Sequence, residues 1–311
     1  MSIIARRGFL KATAGTALGA GLAGFPGGIC QIRADAIEDN AIPRRKLGRT
    51  GYEPTIVSLG GGSTLTQPEH REEALAIVRR ALDLGVNFID TAEAYGDGAS
   101  ETHIGEALGG RRAEVFLATK TRQRRAQPIR AGVFEESCRR LQTDVIDLYF
   151  LHGVHNREDL TTVLDRDGGA ITAFEHYRDA GRIRYLGISS HSNEILIEAM
   201  DAYDFDCVFV TLNAAGMAMD DPGNTEAMLA KATEKGVGVI TMKIVGGTGG
   251  PILDRDITVE QSLRYTLSFP VCTANIGITT IDQLEENVRL AKAFVPYTED
   301  ELATLARLAQ A

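Results

Sequence analysis

Short apolar runs alternate with segments of helical periodicity along most of this chain. Each run is rich in Val, Ile, Leu or Phe and ends abruptly in a polar residue or a glycine. Continuous apolar runs of this length are typical of parallel strands that are buried on both faces. The predicted strands are Thr55–Leu59, a run ending at Asp90, Val115–Thr119, Ile146–Leu151, Arg184–Ile188, Cys207–Leu212, Val237–Met242 and Thr273–Ile278.

Helices are predicted between these strands. The segment 71–84 has apolar residues at helical spacing and stops at Gly85. Ser100 is expected to cap the next helix, with Glu101 and Glu106 on its exposed face. The other predicted helices are Ile129–Leu141, Ile171–Ala180, Asn193–Ala202, Thr225–Lys235, Thr258–Leu267, Ile281–Phe294 and Thr298–Leu308.

Eight strand–helix pairs that repeat about every 30 to 35 residues predict an α/β fold, a (β/α)8 TIM barrel. A doubly wound open sheet is the alternative, but a G-x-G-x-x-G motif does not follow the first strand. Residues 44–311 are predicted to form this single domain. The segment 44–55 contains Gly48 and Gly51 between short β-prone pieces, which favours a hairpin.

The first 36 residues differ in composition from the rest. Arg6 and Arg7 precede Phe9, Leu10 and Lys11, a Gly/Ala-rich run covers 12–29, and an A-x-A pattern occupies 34–36. This order is typical of a signal peptide, and the paired arginines resemble a twin-arginine export signal. The sequence therefore predicts a twin-arginine signal at 1–36, a linker at 37–43, the twin-arginine translocase as a partner, and a periplasmic or otherwise exported protein without stable membrane insertion after cleavage.

Charge narrows the possible partners. The whole chain has a formal net charge of −9 at pH 7, and without residues 1–36 the balance is 29 basic against 41 acidic side chains, or −12. Such an acidic protein is not expected to bind nucleic acid or an anionic membrane surface. Cys138, Cys207 and Cys272 show no metal-site spacing and are predicted to be buried thiols, so no metal is expected.

Four polar residues follow three consecutive predicted strands. Asp90 ends the second strand, Tyr95 lies in the loop after it, Lys120 closes the third and His152 follows the fourth. Asp90 and Lys120 are 30 residues apart, and Lys120 and His152 are 32 apart, about one strand–helix unit each. The sequence therefore places a carboxylate, a phenol, an ammonium and an imidazole at one end of the sheet.

This set of groups suits proton donation to a carbonyl oxygen. A free tyrosine has a pKa near about 10, and an adjacent ammonium favours the phenolate and lowers that pKa. A carboxylate beyond the ammonium holds it charged, and an imidazole can orient the substrate oxygen. With hydride from a cofactor, the chemistry is carbonyl reduction. Taken singly, each residue also has an ordinary structural interpretation, such as a turn cap for Asp90.

The chain resembles the aldo-keto reductases between about Arg45 and Asn287. The resemblance rests on RKLGRTG, GVNFIDTAEAYG with SETHIGEAL, ATKT, LYFLHG, GRIRYLGISSHS and QLEEN. It implies that Asp90, Tyr95, Lys120 and His152 form the catalytic tetrad, and that the N-terminal hairpin closes the bottom of the barrel. It also implies an NAD(P)H-dependent reductase of an aldehyde, ketone or sugar carbonyl, with NADP as the first choice of cofactor and NAD possible.

The cofactor is expected to lie across the ends of strands five to eight and strand one. By resemblance, the nicotinamide carboxamide binds after strands five and six, the pyrophosphate after strand seven and the adenosine after strand eight. Bare glycines after strand one, and Lys243 with a glycine-rich loop after strand seven, favour a closely bound phosphate ligand. The predicted cofactor contacts are Gly61, Gly62, Ser189, Ser190, Asn213, Lys243, Gly246, Gly277, Gln283, Glu286 and Asn287.

Several positions depart from the family pattern. Ser190 stands where asparagine is frequent, Phe209 where glutamine is common, and Leu212 where a tyrosine stacks on the nicotinamide ring. Gly277, Ile278 and Gln283 stand where Lys, Ser and Arg surround a 2′-phosphate in many members.

These departures leave two alternatives open: a cofactor-binding barrel that acts as a redox sensor or interaction module, and a non-redox lyase or isomerase that reuses the tetrad. The basic run Arg122, Arg124 and Arg125 is interpreted as a solvated loop, with an acidic substrate or the cofactor phosphates as a second interpretation.

Overall fold

The computed structural model describes residues 41–310. The predicted signal at 1–36 and most of the predicted linker lie outside these residues. Eight parallel strands form a closed barrel in sequence order, so that the first strand pairs with the second and with the eighth. The strands are Val57–Gly60 (β1), Phe88–Asp90 (β2), Phe116–Thr121 (β3), Ile146–Leu151 (β4), Ile183–Ser190 (β5), Cys207–Thr211 (β6), Gly238–Met242 (β7) and Thr273–Gly277 (β8).

Helices surround the barrel, which confirms the predicted (β/α)8 fold. Each predicted helix is present within a few residues of its expected bounds. The described helices are Arg71–Asp83 (α1), Ala99–Leu108 (α2), Ala126–Pro128 (α3), Phe134–Leu141 (α4), Arg157–Leu164 (α5), Ala170–Asp179 (α6), Asn193–Ala202 (α7), Thr225–Lys235 (α8), Val259–Leu267 (α9), Ile281–Lys292 (α10) and Glu299–Gln310 (α11).

Two features of the helices differ from the prediction. The loop after β4 contains an extra helix, α5, whose first turn is capped by the Asn156 side chain. The predicted helix 129–141 is interrupted by a kink within Ile129–Val133, where Gly132 has a non-helical φ of 147°. That φ is open to glycine and strained for other residues, which explains why the helix kinks at Gly132.

The α2 prediction was wrong in two details. Gly98, in the left-handed conformation, precedes the helix, and Ser100 instead donates a hydrogen bond to the Gly61 carbonyl. Glu101 is fully buried rather than exposed, because it faces β3 and the neighbouring helix α4. Thr119 on β3 and Arg140 on α4 supply the hydrogen bonds and the charge that a buried carboxylate requires.

Two apolar layers of the core follow the two-residue period of the strands, and a smaller cluster lies against α11. On β6, for example, Cys207 and Phe209 point into the barrel, whereas Val208 and Val210 pack against the helices. The larger layer fills the space between strands and helices, and the smaller one fills the barrel interior. Polar side chains at the carboxyl ends of the strands therefore lie above a filled interior, as is usual for this architecture.

The segment before β1 closes the other end of the barrel as a hairpin. Arg44 pairs with Thr55 in an antiparallel bridge, and the Leu47 amide donates to the Tyr52 carbonyl. Leu47 is fully buried and joins the interior layer, and a side chain at Gly238 would collide with it. The buried Arg45 guanidinium donates to main-chain carbonyls at the end of α9 and beyond it.

None of the helices between residues 41 and 310 is both long and apolar enough to cross a membrane.

Candidate active site

Asp90 and Lys120 form a buried ion pair at the carboxyl end of the barrel. The Lys120 Nζ atom donates to Asp90 Oδ2 at 2.6 Å and to the Thr91 carbonyl at 2.6 Å. Both side chains are about 2% exposed or less. β2 and β3 are adjacent in the barrel, so their inward-facing terminal residues come into contact although they are 30 residues apart. An ion pair this deeply buried is costly to desolvate, which indicates a role beyond stability.

Tyr95 and His152 lie beside this ion pair. The Lys120 ammonium is 5.0 Å from the centre of the Tyr95 ring, and the Tyr95 and His152 rings meet edge to face with 5.7 Å between their centres. Both rings are partly exposed, so they face the barrel mouth, the opening at the carboxyl ends of the strands, and not the interior. The structure thus brings together all four residues that the sequence proposed as a tetrad.

The His152 imidazole is neutral in this environment. Burial lowers its pKa to about 2, and the positive charges of Lys120, Arg122 and Arg124 lower it in the same direction. Its Nδ1 atom is buried and has no hydrogen-bond partner among the described residues. A neutral ring cannot act as an imidazolium acid near neutral pH, but it can donate or accept one hydrogen bond.

Asp90 has a further partner, Asn275, which lies inside a strand. Asn275 on β8 donates a hydrogen bond from Nδ2 to Asp90 Oδ2 at 3.3 Å, and Ser58 on β1 donates to Asn275 Oδ1 at 3.1 Å. Both residues lie inside predicted strands that were interpreted as apolar core. The signal that was available is the presence of polar residues at inward positions of these strands.

Phe209 and Leu212 lie on opposite faces of the sheet at the end of β6. Phe209 points into the barrel, and its ring centre is 5.0 Å from the Lys120 ammonium, a cation–π contact. Leu212 packs in the outer layer between strands and helices. The Leu212 side chain therefore faces the helices and not the interior of the barrel.

The three residues predicted to contact the carboxamide form hydrogen bonds within the protein. Ser189 Oγ accepts from the Gly153 amide, and Ser190 Oγ accepts from the Ser192 amide. The Asn213 side chain accepts from the Met217 amide and donates to the Met217 and Lys243 carbonyls. All three predicted residues are buried at the ends of β5 and β6, where they shape the mouth.

Lys243 lies at the mouth beyond β7. Its backbone is left-handed, with a φ of 58°, and its Nζ atom donates to His191 Nε2 at 2.9 Å. Burial, followed by the charge of Lys243, lowers the pKa of His191 to about 4. The Lys243 ammonium thus lies beside a neutral imidazole. Burial lowers the pKa of Lys243, and the negative charge of Asp220 raises it. Gly246 has a φ of 87°, and its amide donates to the Lys243 carbonyl in a turn.

The two glycines after β1 have different environments. The Gly61 amide donates to the Asp90 carbonyl at 2.6 Å, and a Cβ at Gly61 would lie 2.6 Å from Ser100 Oγ. Gly61 is therefore required for packing between β1 and α2. A Cβ at Gly62 would meet no atom within 4 Å, so Gly62 faces open space at the mouth.

The predicted adenosine contacts lie at the end of β8 and on α10. Gly277 is exposed, and Gln283 Oε1 accepts from the Thr279 amide and hydroxyl. Glu286 is exposed and paired with Arg289, whereas Asn287 is mostly buried. Gln283 therefore shapes the loop after β8 through its bonds to Thr279.

The three arginines of the basic run after Lys120 have different environments. The Arg124 guanidinium donates to the main-chain carbonyls of His152 and Gly153 and pairs with Asp159 at 3.1 Å. It therefore holds the backbone that carries His152, which the interpretation as a solvated loop missed. Arg125 forms an exposed ion pair with Asp165, and the Arg122 side chain is exposed.

Comparison with known protein families gives one match that covers most of the barrel. The sequence model of the Aldo/keto reductase family matches residues 57–256, from β1 to the loop after β7. This range includes all four residues of the proposed tetrad, whereas Asn275 lies beyond it.

Individual relatives match over most of their length. An uncharacterized oxidoreductase of Bacillus subtilis, YqkF, is 29% identical, and the match covers 84% of this chain and 95% of the relative. The holo form of aldo-keto reductase AKR11C1 from Bacillus halodurans is 28% identical with a TM-score of 0.69, covering 86% and 97%. An aldo/keto reductase from Klebsiella pneumoniae, solved with NADP and acetate, is 25% identical with a TM-score of 0.67, covering 85% and 94%.

Proposed function

Because the chain belongs to the Aldo/keto reductase family, we propose that it is an NADP-dependent oxidoreductase that reduces an aldehyde, a ketone or a sugar carbonyl. The observation that carries this proposal is the buried Lys120–Asp90 pair beside the Tyr95 ring. A solved relative binds NADP, as its description states. The reaction requires a hydride donor, an acid for the carbonyl oxygen and a group that orients the substrate.

Tyr95 is proposed as the general acid. When its hydroxyl gives a proton to the substrate oxygen, the phenol oxygen acquires negative charge, which the nearby Lys120 ammonium stabilises. Asp90 holds that ammonium in place at 2.6 Å, and the Thr91 carbonyl accepts a second hydrogen bond from it. Phe209 covers the ammonium from the barrel interior and keeps water away from it.

His152 is proposed to orient the carbonyl oxygen. Its imidazole is neutral because burial and the surrounding positive charges lower its pKa to about 2. Since Nδ1 is buried, a substrate oxygen would meet the ring at Nε2 as a neutral donor. Arg124 fixes the His152 backbone, so the position of the ring is set in advance of substrate binding.

The dinucleotide is proposed to bind at the ends of β5 to β8 and β1. Lys243 and the loop with left-handed glycines at 246, 247, 249 and 250 suit the pyrophosphate, because ammonium and turned amides attract anions. Gly62, after β1, leaves open space two strands away from this loop, since β8 alone lies between β7 and β1. Ser189, Ser190 and Asn213 are proposed for the carboxamide, and Gly277, Gln283, Glu286 and Asn287 for the adenosine. When bound, the reduced nicotinamide supplies the hydride.

The decisive experiment is the Tyr95→Phe substitution. We expect turnover of carbonyl substrates to fall by at least about 100-fold, because the ring remains and the proton donor is removed. Binding of NADP, measured by isothermal titration, should be unchanged. Tyr185→Phe is the matched control, since the Tyr185 hydroxyl donates to the Thr50 carbonyl at the closed end of the barrel. Full activity of the Tyr95→Phe enzyme would refute the assignment.

The same assay separates the alternative functions. Oxidation of bound reduced cofactor is followed by stopped flow with a panel of aldehydes, ketones and sugars. If none of these carbonyls accelerates the oxidation, the chain is a cofactor-binding module instead of a reductase. Product formation from a carbonyl compound without any change of the cofactor would identify a lyase or an isomerase.

Export through the twin-arginine route is a separate proposal. It is supported by Arg6 and Arg7 ahead of the weakly apolar run 12–29 and the A-x-A pattern at 34–36. This route carries folded proteins, which suits an enzyme that folds around a dinucleotide in the cytoplasm. The Arg6→Lys/Arg7→Lys variant should remain inside the cell in a fractionation experiment, and unchanged export would overturn the proposal.

A further inference from the structure

We propose that Asn275 and Ser58 are positioning residues, which hold the Asp90 carboxylate ionised and aimed at Lys120. This inference rests on the proposed function, because Asp90 matters to the reaction through Lys120 and Tyr95. Ser58 lies on β1, Asn275 on β8 and Asp90 on β2, so three strands contribute to one hydrogen-bonded chain. The inference adds two residues to the four that the sequence identified.

The hydrogen bonds run in one direction along this chain. The Ser58 hydroxyl donates to Asn275 Oδ1 at 3.1 Å, and Asn275 Nδ2 donates to Asp90 Oδ2 at 3.3 Å. All three side chains are at most 9% exposed. The opposite orientation of the amide would place Oδ1 against the carboxylate, where two acceptors repel each other. The Asp90 carboxylate, which can only accept, therefore sets the orientation in which Asn275 donates to it, and the Ser58 hydroxyl satisfies Asn275 Oδ1 in that orientation.

The strand register makes the contact between Asn275 and Asp90 possible. β8 and β2 do not pair with each other, since β1 lies between them. Asn275 is paired with Ser58, while Asp90 is paired with Gly60, two residues further along β1. A Cβ at Gly60 would lie 2.9 Å from Asn275 Nδ2. The absence of a side chain at position 60 thus opens the path by which the amide reaches the carboxylate.

The energetic role follows from the surroundings of Asp90. Burial disfavours the ionised carboxylate, whereas the Lys120 charge and the hydrogen bonds from Lys120 and Asn275 favour it. Lys120 is the charged group that faces Asp90, and Tyr95 and His152 lie next to that ammonium. Loss of the Asn275 donor should therefore favour the protonated form of Asp90. Lys120 would then have no negatively charged partner at this position.

The first experiment measures Asp90 directly and does not depend on turnover. The full chain is labelled with carboxyl-13C aspartate, and the Asp90 resonance is assigned by its absence in Asp90→Asn. In Asn275→Leu, which keeps the side-chain volume, we expect the titration midpoint of Asp90 to rise by about one pH unit. In Ser58→Ala it should rise by less, because the amide still donates to Asp90 and only the hydroxyl that satisfies its Oδ1 is lost.

The second experiment measures the pH dependence of kcat/KM for a carbonyl substrate. The acidic limb should move upward by the same amount as the Asp90 midpoint, with the KM for the carbonyl changed by less than about twofold. The double variant Ser58→Ala/Asn275→Leu should behave like Asn275→Leu alone, because the two residues act in series. Thr273→Val is the control: it changes the same face of β8, and its hydroxyl has no hydrogen-bond partner among residues 41–310.

Each outcome has a defined meaning. An Asp90 midpoint that moves by less than about 0.3 pH unit in both single variants overturns the inference, whatever the enzyme does. A shifted midpoint with an unshifted kcat/KM profile also overturns it, since the contact would then have no effect on the reaction. If no carbonyl accelerates the oxidation of NADPH by the wild-type chain, the proposed function fails, and the NMR titration alone decides whether Asn275 positions Asp90.

Discussion

The Lys120 ammonium and the Asp90 carboxylate lie 2.6 Å apart in a position that is almost fully excluded from solvent. Burial raises the pKa of Asp90 to about 6, even though the Lys120 charge and its hydrogen bond lower it. The carboxyl is therefore neutral below about pH 6 and ionised above it. Because only the ionised form holds Lys120 by charge, the ion pair couples the reaction to pH.

We predict that kcat/KM decreases as the pH falls through about 6, with Asp90 as the group responsible. Asp90→Asn should lower kcat/KM at neutral pH and remove this acidic limb, since an amide does not titrate. The measurement is kcat/KM between about pH 5 and about pH 9 under constant ionic strength.

His152 provides the control for this assignment. An ordinary histidine also titrates near about 6.5, but the pKa of His152 is lowered to about 2 by burial and nearby positive charges. His152→Asn should therefore lower the rate and retain the limb. If the limb survives in Asp90→Asn and disappears in His152→Asn, the assignment is reversed.

NADP should bind more tightly than NAD, but by less than about tenfold. Charge-assisted hydrogen bonds each contribute about 1.5 to 3 kcal/mol, and a 2′-phosphate held by several of them would give a larger ratio. Gly277, Ile278 and Gln283 offer no cation, and Arg289 is paired with Glu286. Isothermal titration with both cofactors measures the ratio. Tighter binding of NAD would show that the cofactor choice is wrong, and a ratio above 100 would indicate a cation that reaches the phosphate.

The buried Glu101 should make Arg140 important for stability. Arg140→Leu leaves the Glu101 carboxylate buried without its cation, so we expect the free energy of unfolding to fall by about 3 kcal/mol. The double variant Glu101→Leu/Arg140→Leu should recover most of this loss, because the buried charge is gone. Urea denaturation measures both. Arg139→Leu is the surface control, since the Arg139–Glu136 pair is exposed, and its effect should stay below about 1 kcal/mol.

Replacement by alanine should change the free energy of unfolding differently at two glycines, Gly105 and Gly110. A Cβ at Gly105 in α2 would lie 2.2 Å from the Arg140 carbonyl oxygen, so Gly105→Ala must separate α2 from α4. We expect it to lower the free energy of unfolding by about 1 to 3 kcal/mol. A Cβ at Gly110 meets no atom within 4 Å, and Gly110→Ala should be neutral or slightly stabilising. Equal melting temperatures for the two variants would contradict the close packing of α2 and α4.

The fold was predictable because its main signal is local. Each buried strand is a continuous apolar run, and each helix has its own periodicity, so the order of elements can be read from the sequence. Because strand–helix–strand connections are right-handed, that order also determines how the strands are arranged in the barrel. The bounds of β4, Ile146–Leu151, agree to the residue. The kink at Gly132 was not predictable, since a periodic pattern with one glycine in it fits a regular helix equally well.

The proposed tetrad was predictable because its members sit at strand ends, where a polar residue interrupts an apolar run. Asn275 and Glu101 were missed for the opposite reason. Asn275 lies inside a strand, and its partner Asp90 is 185 residues away and one strand removed in the barrel. Glu101 resembles any helix carboxylate in sequence, and its burial depends on Arg140 from another helix. Such contacts depend on how the elements are packed, which periodicity does not record.

Arg45 connects the beginning of the barrel to its last segments, with bonds to the carbonyls of Leu267, Phe269 and Val271. These partners are synthesised more than 200 residues after it. The N-terminal hairpin therefore cannot reach its final contacts on a nascent chain until the ribosome has passed residue 271. In a chain terminated earlier, the N-terminal hairpin would lack the partners of Arg45, and β1 would lack its neighbour β8. The Arg45 contacts and the pairing of β1 with β8 therefore both require the C-terminal part of the barrel before the fold can close.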